Sequence, residues 1–465
     1  MTAGASQPTV VVAGASGRIG GAVLRSLASD FDVLAVTRSP ARARLGGSAP
    51  NVTWRRYDLF ARTEVQRALR GARALVYLVH SRLPSARLDQ ARVADMDLLI
   101  ADNFGRAAAL EGLEQIVCLG SMPGAARALH REEIAEALGA HGVPVTQLRA
   151  GLVLGGAGAV TTLLARIAVG SPWAVVPNWA SKRQQPIALD DLVLAVRRCL
   201  ASPTQFSASI EVGGPEVTSM RAVVEAFAGA LGKPRRVVEP GWLTPRLYRG
   251  WLRLLSPGSH PDLVRRVVDA FGVDSTVSDS ERTPLVEHPR TIDEALAEGG
   301  ASGEDPHAAT RYEDDATLHD ARTVRSIQRF RCPPGRDADW LAATYFEWLK
   351  RFLRPFLTCI EDEGGALAVV VRGLRLRLLL LTRQPEHGEP GRVLYFIEGG
   401  LLASRRPGTL GRMEFRDVPG GRCSMIAIHD FEPFLPWNFY HVTQALAHGL
   451  VMRAFQRHVA KLARG

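Results

Sequence analysis

The sharpest chemical signal in the chain is Gly14-Ala15-Ser16-Gly17-Arg18-Ile19-Gly20. These three glycines at G-x-x-G-x-x-G spacing lie between a β-branched run and an amphipathic one. At a strand-to-helix junction the first glycine permits a tight turn and the second lets backbone approach a diphosphate. The third lets the helix pack against the strand, and the phosphates meet amide groups at the helix N-terminus. Gly14, Ser16, Gly17, Arg18, Ile19 and Gly20 are therefore candidate contacts to a dinucleotide. About 20 residues further on, an NAD site usually places an Asp or Glu for the ribose hydroxyls. Here the second apolar run, residues 33–36, ends in Thr37-Arg38-Ser39. A guanidinium attracts a 2′-phosphate bidentately where a carboxylate would repel it. Arg38, with Ser39 and Arg42 in support, makes NADP(H) the expected cofactor in preference to NAD(H).

These residues need a frame. Apolar runs at 9–13, 33–36, 52–57, 74–79, 115–119 and 144–148 alternate with helical patterns at 19–28, 63–69, 93–110 and 132–138. Strands alternating with helices at this spacing predict an α/β fold, a Rossmann-type doubly wound parallel sheet with its ligand at the strand C-termini. A helix is expected over 187–200, a short strand over 209–212 and another helix over 220–231, which read as a small substrate lobe. The expected boundaries are 7–297 for the Rossmann domain with that lobe (about 186–297), 298–321 for a linker poor in large apolar residues, and 322–465 for a second domain.

Gly14–Gly20, Tyr57-Asp58-Leu59, Asn103, Leu148-Arg149-Ala150-Gly151 and Gln185-Pro186-Ile187 followed by Asp190 resemble the short-chain dehydrogenase/reductase superfamily. They are closest to its atypical, NmrA-like NAD(P)H-binding branch, and the likeness covers residues 9–231. The resemblance implies that Asp58 and Leu59 lie at the adenine, that Val79, His80 and Ser81 flank the nicotinamide-side ribose, and that Ser121 sits near the nicotinamide.

The superfamily's usual acid is a Tyr with a Lys four residues later, and no Tyr in this chain has one. The corresponding positions fall near Arg127 and Arg131, and an arginine cannot act as a general acid. Standard carbonyl chemistry by that pair is excluded. One reading left is direct hydride transfer from NADPH to a hydrophobic or quinone-like acceptor. Ser121 or His80 would assist with protons, and Arg131 or Arg149 would hold an anionic group of the substrate. The alternatives are a non-catalytic NADP(H) redox sensor, a hydrophobic-ligand carrier and, needing the absent pair, a sugar-nucleotide epimerase.

Beyond the linker the pattern changes. A strand over 324–330 and a helix over 337–352 precede strand candidates at 367–371, 374–381, 393–397, 412–416 and 423–429. One long helix over 436–463 closes the series, with Val442, Leu446, Gly449, Phe455, Val459 and Leu462 on one stripe. This order is similar to the START and Bet v 1-like helix-grip class, which implies an α+β domain whose sheet wraps the last helix around an apolar ligand. His429, His441 and His448 match no zinc spacing, so no metal is expected.

The bulk properties bound these readings. The chain has 465 residues, 46% of them hydrophobic and 22% charged, which suits roughly two to three soluble domains. Net charge is +10, but the arginines are scattered and no nucleic-acid motif accompanies them, so no nucleic-acid partner is expected. Five widely spaced cysteines read as reduced thiols. Residues 1–8 lack a signal-peptide pattern and no stretch reads as a membrane span, so a cytoplasmic location is expected. Self-association into a homodimer is left open.

Overall fold

The computed structural model describes residues 8–45, 49–81, 85–123, 128–278, 285–299, 316–317, 321–355, 357–361, 366–374, 376–384, 390–404, 410–419 and 423–464. The chain divides into two compact units. One comprises residues 1–79 and 103–313, the other residues 80–102 and 314–465. The division is not linear in the sequence, because residues 80–102 leave the first unit and return to it. Most of the expected linker, and Arg127, lie outside the described residues.

The first unit contains a seven-stranded parallel sheet in the order Ser209–Val212, Val145–Ala150, Gln115–Ser121, Ala74–Tyr77, Thr9–Ala13, Asp32–Thr37, Val52–Arg56. Its inner strands are apolar on both faces: Val10, Val11, Val12, Leu75 and Val76 are all buried. Helices on both sides of a parallel sheet demand this of the sequence. Strand order reverses beside Thr9–Ala13, which pairs with Asp32–Thr37 on one side and Ala74–Tyr77 on the other. The Arg18–Leu27 helix buries Val23 and Leu27 in one cluster with Leu192, Val193 and Val196 of the Leu189–Ala201 helix.

A largely helical lobe completes this unit. Ala159–Val169, Met220–Ala230, Pro245–Leu255, Pro261–Phe271 and Ile292–Gly299 share a core around Phe227, Tyr248 and Phe271. The starts of three of these helices carry local signals: Ser219 and Thr244 cap with their hydroxyls, and Pro245 and Pro261 occupy first-turn positions. The expected 187–200 helix begins at Leu189, because Ile187–Ala188 pairs with Val153–Leu154.

The second unit is built on an eight-stranded mixed sheet. Leu357–Glu361, Ala366–Val371, Arg377–Arg383, Arg392–Gly399, Gly411–Val418, Cys423–Phe431 and Val324–Phe330 pair antiparallel in that order. Leu88–Ala91 from the inserted segment then joins Val324–Phe330 in parallel. Val393, Tyr395, Met413 and Phe415 point to a core shared with Tyr345 and Phe346 of the Ala338–Phe352 helix and Met452, Phe455 and Val459 of the Gln444–Leu462 helix. Aromatic rings fill this space: Tyr345 lies 5.0 Å from Phe455 and Phe346 lies 5.1 Å from Tyr395 between centroids.

The expected single terminal helix is corrected to two, Trp437–Val442 and Gln444–Leu462, separated at Thr443 (φ −123°, ψ −82°). The break also corrects the expected apolar stripe. Past Thr443 the buried stripe runs through Ala445, Met452, Phe455 and Val459, while Val442 and Leu446, on either side of the break, face outward.

The opposite sheet face in the second unit is charged, because residues alternate along Gly411–Val418. Arg416 pairs with Asp102 and lies 3.6 Å from Glu414, which accepts from Arg392 Nε at 2.8 Å. Arg329 pairs with Asp95 at 2.9 Å. Both aspartates belong to the Val93–Glu111 helix, whose residues 93–102 group with this unit and the rest with the first. All five cysteines are free. No helix among the described residues is long and apolar enough to cross a membrane.

Candidate dinucleotide site

The glycine turn sits where strand order reverses, at the C-terminal end of Thr9–Ala13. Leu78 donates its backbone N–H to Ala13 at 2.9 Å, so the adjoining strand runs on beside the turn. Gly14 has φ +87°, and a Cβ there would stand 2.7 Å from the Leu78 carbonyl oxygen. A Cβ on Gly20 would stand 2.3 Å from the Gly14 oxygen and 2.8 Å from the Ala15 Cα. Both glycines are thus demanded by the protein's own backbone. Gly17 differs. It is exposed, its backbone (φ −78°, ψ 165°) suits any residue, and a Cβ would meet only the Gly14 oxygen, at 3.3 Å. That contact is tight, so a Cβ on Gly17 would make the Gly14 carbonyl give by a few tenths of an ångström, and the amides of the helix start lie just behind it, where a diphosphate is held in sites of this kind.

Arg18 points away from the glycine turn. Its guanidinium donates to the carbonyls of Gly155 at 2.5 Å and Val153 at 3.2 Å and to Thr161 Oγ1 at 3.4 Å, tying the helix start to the lobe. Burial pushes Arg18 down to about 10, so it stays cationic at neutral pH. Ser16 and Ile19 flank it, partly exposed.

Beyond Asp32–Thr37 the chain makes a compact turn. Ser39 donates its N–H to Thr37 Oγ1, and its own Oγ accepts the Arg42 N–H, both at 3.0 Å, starting the Pro40–Leu45 helix. Arg42 stacks 5.1 Å above the Trp54 ring. Arg38 is half-buried in this turn, which contains no carboxylate. On the adenine side, Asp58 Oδ1 accepts the Phe60 N–H at 3.1 Å and the Asp58 N–H donates to Glu64 at 2.6 Å. The buried Leu59 offers its carbonyl to Asn103 Nδ2 at 2.9 Å. Val79 is buried beside Gly14.

Ser121 ends the Gln115–Ser121 strand opposite Ala150, and Arg149 stands opposite Gly120. Arg149 Nε donates to Gln147 Oε1 at 3.2 Å and Arg149 lies 3.8 Å from Glu132, while Gln147 Nε2 donates to the Arg131 carbonyl at 3.1 Å. Gln147 and Glu132 went unrecognised in the sequence, where nothing marks an amide on a strand as a clamp. Nearby Cys118 is inert: burial pushes its thiol up to about 12, against the opposing field of Arg131. Gln185 is a clamp as well. Its side chain donates to the Gly214 carbonyl at 2.8 Å and accepts the Val277 N–H at 2.9 Å.

His80 and Ser81 belong to the second unit. There the fully buried Asp97 accepts the Ser81 N–H at 2.6 Å and lies 3.6 Å from His80 Nδ1. The buried Ser81 Oγ has no hydrogen-bond partner among the described residues. His429, His441 and His448 do not come together with other ligands: among the described residues no group of three or more His, Cys, Asp or Glu could hold a metal.

Residues 14–144 match a family model described as NAD(P)H-binding. A curated relative, auxiliary protein GraX of Staphylococcus aureus (strain NCTC 8325 / PS 47), is 30% identical over 139 residues. The match covers 30% of this chain and 43% of the relative, so the chain spans less than half of that protein's length. Among solved structures, the Escherichia coli NADPH-dependent quinone oxidoreductase QOR2 complexed with NADPH aligns with TM-score 0.51 at 17% identity. The alignment covers 62% of this chain and 99% of that one. Citrobacter sp. triphenylmethane reductase complexed with NADP(H) aligns with TM-score 0.50 at 16% identity, covering 63% and 99%. At such identities the likeness is one of fold. Residues 14–144 thus match an NAD(P)H-binding family model over a stretch that carries the glycine turn of a Rossmann-type sheet.

Proposed function

We propose that the chain is an oxidoreductase that uses NADPH to reduce a hydrophobic, quinone-like acceptor without a Tyr–Lys pair. The observation that carries this reading is the glycine turn itself, where Gly14 and Gly20 are required by the backbone and Gly17 stands at the start of the helix between them. Bound NADPH would supply the hydride. Backbone amides at Ser16–Gly20 (residues 16–20) hold the diphosphate, and Arg38 with Ser39 holds the 2′-phosphate. Asp58, Leu59 and Val79 line the adenine and ribose positions. Ser121, at the end of its strand in the first unit, is the group able to hold or pass a proton at the acceptor. Arg131 and Arg149 favour an acceptor with anionic character. Acceptors of this class need less acid catalysis than a ketone, because reduction delocalises charge into a conjugated system. The names of the two similar folds, a quinone oxidoreductase and a triphenylmethane reductase, agree with that chemistry.

Titration calorimetry with NADPH and NADH tests binding, and loss of the reduced cofactor's absorbance with a panel of quinones, enones and cationic dyes tests turnover. Tight NADPH binding with turnover on one acceptor class is expected. Tight binding with no turnover on the whole panel would replace the enzyme by a redox sensor. No binding to a folded chain would remove both, and a fatty ligand bound in its place would point to a carrier.

A further inference from the structure

From Pro433 onward, residues 433–465 include no Asp or Glu, yet they include Arg453, Arg457, Lys461 and Arg464. Several large apolar side chains in and beside this stretch face outward: Phe434, Phe439, Val442, Leu446 and Leu450 are 66, 65, 63, 58 and 59% exposed. Leu401 is also exposed, next to Leu402, whose carbonyl accepts the Phe434 N–H at 3.2 Å. Singly exposed leucines need no explanation; several large apolar side chains left in water along one short segment do.

The arrangement along the last helix is ordered. At 3.6 residues per turn, Leu446, Leu450, Arg453, Arg457 and Lys461 fall on one line, opposite the buried Met452, Phe455 and Val459. The outward line is apolar in its first half and cationic in its second.

We propose that this face docks on an anionic lipid surface. The apolar end, from Phe434 to Leu450 (residues 434–450), enters the acyl boundary, and Arg453, Arg457 and Lys461 meet the phosphates of the headgroups. The commitment to lipid over a second copy of the chain rests on charge. A self-complementary twofold contact along this line would offer the arginines no carboxylate from the same stretch, whereas anionic headgroups complement them continuously.

Co-sedimentation of the full chain with vesicles tests this. The vesicles are pure phosphatidylcholine or an equal mixture of phosphatidylcholine and phosphatidylglycerol, at low and high salt. The expected result is binding to the mixed vesicles that weakens with salt, with little binding to phosphatidylcholine alone. Leu446→Gln with Leu450→Gln should lower partitioning about a hundredfold while leaving the thermal midpoint near wild type, since both side chains are already in water. Arg453→Glu with Arg457→Glu should abolish the preference for anionic vesicles. Wild type remaining in the supernatant with the mixed vesicles would overturn the proposal. So would unchanged binding by the glutamine variant. A concentration-dependent dimer in light scattering, lost in the glutamine variant and unaccompanied by vesicle binding, would assign the face to a second copy instead.

Discussion

The two sheets solve the same burial problem in opposite ways. In the first unit the central strands are apolar on both faces, with Val10, Val11, Val12, Leu75 and Val76 buried, and buried polar side chains such as Gln115, Thr146 and Gln147 lie on the strands to one side. Its buried carboxylates sit at the margins. Asp191 pairs with the half-exposed Arg290, and Glu211 accepts from the Ser278 N–H and hydroxyl. In the second unit one sheet face is apolar and aromatic, while the other buries Asp102, Glu414, Arg416 and His429. Burial alone would push the Glu414 carboxyl up, but Arg416, Arg392 and His429 outweigh it and hold it well below the usual carboxylate range. The parallel sheet gets its second apolar cover from its own crossover helices. The antiparallel sheet has none, and its second face receives residues 93–102, which bring aspartates to arginines. A buried ion network fixes which segment covers that face, at the cost of desolvating every charge in it.

That contrast breaks most visibly at Arg416. Arg416→Met leaves Asp102 and Glu414 buried without their shared cation and should cost about 3–5 kcal/mol of stability at neutral pH. Leu75→Ala in the first sheet should cost a comparable amount, about 2–5 kcal/mol, by opening a cavity. The two separate with pH. The stabilisation from a depressed carboxyl exists above its unfolded value, near 4.3, and disappears as pH falls through the folded value. Denaturant titrations at pH 7 and pH 3.5 should therefore show the Arg416→Met deficit shrinking in acid and the Leu75→Ala deficit unchanged. A deficit at Arg416 that is equal at both pH values would mean the network contributes packing only.

The glycine turn sharpens the comparison inside the first unit, where the same residue type serves two ends. Gly20→Ala drives a Cβ into the Gly14 carbonyl and should cost about 1–3 kcal/mol, read as a lower thermal midpoint. Gly17→Ala meets only the Gly14 oxygen, at a tight 3.3 Å, so it should cost less stability than Gly20→Ala, about 1 kcal/mol or under, while weakening NADPH at least about tenfold in calorimetry. Equal NADPH affinity in Gly17→Ala and wild type would remove the diphosphate from this turn. Arg38→Glu asks which dinucleotide is held. Reversing a charge-assisted contact should weaken NADPH about 10–100-fold and NADH far less. An equal loss for both would detach Arg38 from the 2′-phosphate.

The first unit was largely legible because its signals are local and periodic. Parallel strands buried on both faces read as continuous apolar runs, and G-x-x-G-x-x-G marks the turn between the first strand and helix. Pro245–Leu255 and Pro261–Phe271 were not read, although Thr244-Pro245 and His260-Pro261 mark their starts and their apolar residues recur at helical spacing. Leu88–Ala91 was not legible. It is four residues of mixed polarity whose strand character comes from pairing with Val324–Ile327, more than two hundred positions away. The same is true of Asp95, Asp97 and Asp102. On a helix pattern they read as a solvated face, and only the distant Arg329, His80 and Arg416 explain their burial. At the candidate site, glycine spacing and Arg38 could be read because backbone geometry and charge dictate them. Gln147 and Gln185 could not, since an amide's partners are set by tertiary packing alone.

His448 gives the smallest effect and the finest test of the second unit's interior. It lies on the Gln444–Leu462 helix with Nε2 2.9 Å from Ser326 Oγ, and burial pushes its imidazole down to about 4. Unlike the carboxylates of the other sheet face, its shift comes from burial rather than from a neighbouring charge, so desolvation sets the sign. A histidine whose folded value lies below its unfolded value binds fewer protons when folded. Stability therefore rises with pH between about 4 and 6.5 and is flat above it. Partial exposure of the side chain lets water screen the charged form, so the loss on acidification should reach about 1–2 kcal/mol and no more. His448→Gln can keep a hydrogen bond to Ser326 but cannot titrate, so its stability should vary less than wild type's between pH 6.5 and pH 4.5. Equal acid sensitivity in the two proteins would shift that slope to another group, and a larger slope in the variant would reverse the sign assigned to the imidazole.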